Sequence, residues 1–104
     1  MKSISVDELK EKLDSGREIN LIDCREPEEY LEVNLGGKLL PLAKIQSMQV
    51  DEIEHLKDEE VIIHCRSGRR SMMACLVLDG LGFRDTYNVE GGILAWQERN
   101  YPVK

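Results

Sequence analysis

The chain lacks any apolar run approaching the ~20 residues that cross a bilayer, which excludes a membrane-spanning helix. Its first residues, Met1 to Asp7, lack the apolar core of an export signal. Only 3 cysteines are present, an odd number without paired spacing, which argues against a disulfide framework. A reducing, cytoplasmic setting is therefore expected. CxxC and HxxxH pairs are both missing, so no set of side chains has metal-ligand spacing. There is no glycine-rich dinucleotide loop and no Walker loop, and so no metal or organic cofactor is implied. Low-complexity segments and internal repeats are absent as well. The formal net charge of −6 disfavours nucleic acid and anionic membrane as partners.

What remains is an ordinary globular composition, 41% hydrophobic and 33% charged, in 104 residues. That length predicts one domain over residues 1–104, large enough for a core without disulfides or metals. Ser5 or Asp7 can cap a first helix that Gly16 ends. Strand signals fall at 19–23, 38–41, 61–64 and 86–89. Helical signals lie between them, with the longest after residue 68 and the last following Gly91-Gly92. Short apolar strands separated by helices indicate an α/β fold, a parallel sheet covered on both faces. Ligands of such sheets bind beyond the carboxyl ends of the strands.

One stretch carries chemistry. His64-Cys65-Arg66-Ser67-Gly68-Arg69-Arg70-Ser71 follows the apolar run Val61-Ile62-Ile63 and precedes an apolar helix. A thiol is thereby placed at a strand end, beside a loop and a helix N-terminus whose N–H groups favour negative charge. Such surroundings lower a thiol pKa, and the thiolate is the nucleophilic form. Three arginines stand within five residues of Cys65 in an otherwise acidic chain, which favours an anion site over idle surface charge.

The other candidates read more plainly. Cys75 lies inside the apolar helix, where core packing is expected. Cys24 follows a strand end, and both packing and a resolving thiol for Cys65 stay open. If strand alternation continues, His64 points away from Cys65, which favours a hydrogen-bonded structural role over a catalytic one. His55, between Glu54 and Asp58, is expected to be solvated. Gly91-Gly92 reads as a turn and a close helix approach.

Three segments together resemble the rhodanese-like family of single-domain sulfurtransferases. Leu21-Ile22-Asp23-Cys24-Arg25-Glu26-Pro27-Glu28-Glu29-Tyr30 is similar to the family's first motif, an aliphatic pair followed by Asp-x-Arg and a Glu-aromatic pair. Cys65-Arg66-Ser67-Gly68-Arg69-Arg70 is similar to its active-site loop, and Gly82 to Trp96 to its C-terminal motif. The chain departs at Asn34 to Pro41, where the family usually has Gly-His-Ile-x-Gly-Ala, and at Cys24, usually aliphatic.

The resemblance implies a small doubly wound parallel sheet of about five strands with helices on both faces. It implies that Cys65 carries sulfur as a persulfide, taken from a small anionic donor such as thiosulfate. Cyanide, a thiol or a protein would be the acceptor. Arg66, Ser67, Gly68, Arg69 and Arg70 would form the substrate-binding loop, with Arg66 on the sulfite part of the donor. Asp23, Arg25 and Glu29 would hold the scaffold. Phosphatases of the same fold have five residues between cysteine and arginine; four separate Cys65 from Arg70, as in the sulfur-transferring members. The competing reading is a sulfur-relay or binding module for a protein partner, with thiosulfate use incidental.

Overall fold

The computed structural model describes all residues from Met1 to Lys104. Its centre is β4 (Glu60–His64), whose Val61, Ile62 and Ile63 are completely buried. A strand apolar on both sides can be buried on both, and β4 accordingly sits in the middle of a five-stranded parallel sheet. The order is β1-β5-β4-β2-β3, with β1 at Lys2–Ile4, β2 at Leu21–Asp23, β3 at Lys38–Leu39 and β5 at Asp85–Val89. The edge strands β1 and β3 are short and the most exposed, which limits pairing with other chains.

Strand β1 has no counterpart in the sequence reading. Lys2-Ser3-Ile4 offers one buried residue and no period; it is a strand because Lys2, Ser3 and Ile4 pair with Tyr87, Asn88 and Val89 of β5. Ile19 and Asn20 lie outside β2, and 51–56 forms a 3-10 helix.

Alternation along the strands makes two cores. Ile22, Val61 and Ile63 face α3 (Leu42–Gln46), the 3-10 helix and α4 (Arg69–Gly80) through Ile45, Ile53, Ala74, Cys75 and Leu78. Leu21, Ile62 and Val89 face α1 (Val6–Asp14) and α5 (Gly92–Glu98) through Val6, Leu9, Ile93 and Trp96. Helix α1 starts at Ser5 with a reciprocal capping box: Glu8 N–H donates to Ser5 Oγ and Ser5 N–H to Glu8 Oε1, both at 3.1 Å. The remaining helix, α2 (Pro27–Glu32), buries no residue completely and lies beyond the carboxyl end of β2.

Candidate active site

Cys65 is the first residue after β4, at the carboxyl end of the central strand, and is 1% exposed. Its sulfur accepts the Gly68 N–H at 3.1 Å. That contact requires the loop to curl back, and Gly68 does so with φ +99, a conformation L side chains rarely adopt.

The loop is held from two sides. From one, the Ile93 N–H donates to the Cys65 carbonyl at 2.9 Å and the Leu94 N–H to the Arg66 carbonyl at 3.1 Å. The first turn of α5 can come this close only because of Gly92, where a Cβ would sit 2.5 Å from both carbonyl oxygens. In a trans peptide the N–H points opposite to its carbonyl. The Arg66 and Ser67 N–H groups are therefore turned away from α5, and they donate to no acceptor in the chain. From the other side, Asn88 Nδ2 of β5 donates to the Gly68 carbonyl at 3.2 Å. Asn88 Oδ1 lies 2.5 Å from the Ser71 hydroxyl, which in turn is 3.4 Å from Cys65 Sγ.

This arrangement favours the thiolate. The thiol of Cys24 acts first, donating to the anionic sulfur; the Ser71 hydroxyl and the N–H groups of Ser71 and Gly68 add to it. Together they outweigh burial, which opposes the charge, and hold Cys65 well below the ordinary thiol range. Cys75 is the opposite case: completely buried in α4, it is pushed up to about 12 chiefly by burial.

The arginines divide. Arg70 forms a two-pronged ion pair with Glu29 of α2, at 2.7 and 2.9 Å, which draws Glu29 down to about 2. The Arg70 guanidinium is thus engaged by a carboxylate of the chain. Arg66 and Arg69 are exposed and unpaired, as is the Ser67 side chain. Arg66 lines an open depression between α2 and α5 that also carries Leu94 and the carboxylates of Glu29 and Glu32. The Arg25 guanidinium at its base is engaged by Asp23 at 2.8 to 3.1 Å and by the Val33 carbonyl at 2.7 Å.

His64 points to the face opposite Cys65, as alternation requires, and is completely buried. The expected hydrogen bond is absent: neither ring nitrogen has a partner, and Nε2 is 3.7 Å from Asp23 Oδ2. Burial lowers its pKa and keeps the ring neutral. His55 is exposed, as expected. Ser71 and Asn88 are site residues that the sequence reading passed over. Their signal was polarity in the wrong place, a buried serine in the first turn of an apolar helix and a buried asparagine in a strand.

The fold and the site define a parallel α/β protein with a buried cysteine at the mouth of its central strand. A family model for the rhodanese-like domain matches residues 5–99, and the chain belongs to that family. YtwF of Bacillus subtilis, whose name classes it with sulfurtransferases, is 43% identical over 98% of this chain and 96% of its own length. A sulfurtransferase of Allochromatium vinosum is 34% identical, over 99% of this chain and 94% of its own. The crystal structure of a rhodanese-like domain protein from Staphylococcus aureus superposes with a TM-score of 0.82 at 36% identity, covering 92% of this chain and 91% of that one. The general chemistry is sulfur transfer.

Proposed function

We propose that Cys65 is the sulfur carrier and that its donor is a small sulfane anion such as thiosulfate. The observation that supports this most is the thiol held as an anion beneath backbone N–H groups that have no acceptor in the chain. The thiolate attacks the outer sulfur of thiosulfate, the sulfur–sulfur bond breaks, and sulfite leaves with the electron pair. The charge of the terminal sulfur then falls among the N–H groups of the loop, where fixed donors need no reorganisation. Cyanide, a thiol or a protein thiolate attacks that sulfur and regenerates Cys65. The loop residues Ser67, Gly68 and Arg69 shape and line this cradle, while Arg70 holds it to α2 through Glu29. The mass of the protein after thiosulfate, before and after cyanide, tests the proposal. The expected result is a gain of one sulfur on Cys65 that cyanide removes; no gain overturns the reading.

Arg66 is the unpaired cation beside the nucleophile, opposed in its depression by Glu32. A charged hydrogen bond to an anion contributes about 1.5–3 kcal/mol, so Arg66→Ala is expected to raise the KM for thiosulfate by about tenfold or more. An uncharged persulfide donor loses less. Steady-state kinetics with both donors checks this, and equal losses would show that Arg66 shapes the loop without recognising an anion.

A further inference from the structure

Cys24 stands beside Cys65 for a reason of register. Asp23 of β2 is paired with His64 of β4, and the ladder continues one step, the Cys24 N–H donating to the His64 carbonyl at 3.0 Å. The next neighbours across that ladder are Cys24 and Cys65. Adjacent strands lie about 4.8 Å apart, inside the range of roughly 4.4–6.8 Å between α-carbons that a disulfide spans. Alternation sends both side chains to the same face, where they join one apolar cluster with Ile22 and Ile63. Cys24 is 1% exposed, and the sulfur of Cys65 is the thiol neighbour that its surroundings give it. Cys75 has Thr86 and Asp79 as its neighbours and stands outside the pair.

We propose that Cys24 is a resolving thiol, which gives the protein a second activity: release of the sulfur bound on Cys65 as sulfide. The proposal rests on the loading of Cys65 described above. Once Cys65 carries a persulfide, its terminal sulfur lies on the loop side and Cys24 on the β2 side. The terminal sulfur, loaded as an anion, takes the Cys24 proton, and the Cys24 thiolate so formed attacks Cys65 Sγ, forming a Cys24–Cys65 disulfide. The bond between Cys65 Sγ and the terminal sulfur breaks, and that sulfur departs with the electron pair and the Cys24 proton as hydrosulfide. The terminal sulfur is reduced, the two cysteines are oxidised, and no external oxidant is needed. An external thiol or dithiol reduces the disulfide and returns the pair to its starting state. The acceptor that a transferring cycle would need is thereby replaced by a thiol built into the sheet.

Reduced parent protein and the Cys24→Val variant, loaded with thiosulfate at pH 9, freed of donor and kept without thiol, give the test. The variant is expected to retain one added sulfur at least about tenfold longer than the parent. The parent is expected to release one equivalent of sulfide and finish two hydrogens lighter than its reduced form. Its digest then contains a Cys24–Cys65 peptide that a dithiol separates. Cys24→Ser serves if the valine variant does not fold. A parent that keeps its sulfur as long as the variant, or a cross-link to Cys75, overturns the resolving role while leaving sulfur loading intact. Failure of both chains to gain sulfur overturns the loading itself, and the resolving role with it.

Discussion

Cys65→Ser is expected to bring thiosulfate:cyanide sulfur transfer down to background, a loss of about a thousandfold or more, with the fold retained. The reason is positional. Cys65 alone among the three thiols has an N–H donor at 3.1 Å on its sulfur and a loop of unpaired backbone N–H groups before it. Cys75→Ala is expected to keep most of the activity, since that thiol is sealed in the core and held protonated by burial. The same thiolate should be visible in alkylation. The rate of modification of Cys65 by iodoacetamide is expected to have a midpoint below the ~8.5 of a free cysteine. Ser71→Ala should move that midpoint upward, because it removes a donor to the anion. Near-normal turnover in Cys65→Ser would remove the nucleophile from the mechanism.

Asp23→Ala is expected to destabilise the protein by about 3–5 kcal/mol, the cost of leaving one member of a buried ion pair without its partner. Asp23 and Arg25 are 0% and 2% exposed. The carboxylate accepts four hydrogen bonds from Arg25, two from Nε, one from Nη2 and one from the backbone N–H, at 2.8 to 3.1 Å. Since domains of this size are stable by only about 5–15 kcal/mol, the variant should approach the unfolding threshold. Urea denaturation of the parent, Asp23→Ala and the double variant Asp23→Leu/Arg25→Met checks the argument. The double variant should lose less than the single one, because it leaves no charge stranded. A single variant as stable as the parent would show that solvent reaches Arg25 freely. The expected consequence for the site is indirect: the turn carrying this pair also leads into α2, whose Glu29 holds Arg70.

Some of this molecule was legible from local pattern. The run Val61-Ile62-Ile63 read as a buried strand, and a cysteine, a glycine and arginines between it and an apolar helix marked the candidate site. Of the two caps that the sequence offered for α1, Ser5 and Asp7, Ser5 is the one that starts the helix. Other parts left little local trace. Strand β1 is three residues with one apolar position, and it exists because the edge of β5 is there to receive it. The histidine next to Cys65 was expected to hydrogen-bond, yet a side chain's partners depend on what the other elements bring to it, and nothing bonds to the ring of His64.

By itself, then, the sequence determined the parallel α/β fold, the position of Cys65 at a strand end and the sign of the field around it. Periodicity, capping and charge composition are properties of neighbours along the chain. The tertiary structure decided which arginines remain free, since Glu29 of α2 occupies Arg70 and leaves Arg66 and Arg69 open. It decided that Asn88 and Ser71 brace the loop and that Gly92 lets α5 grip it. It also decided that Cys24 and Cys65 are neighbours. The physical reason is common to all of these: strand register and close backbone approach join residues far apart in the chain, and they are fixed only when the two cores pack around the sheet.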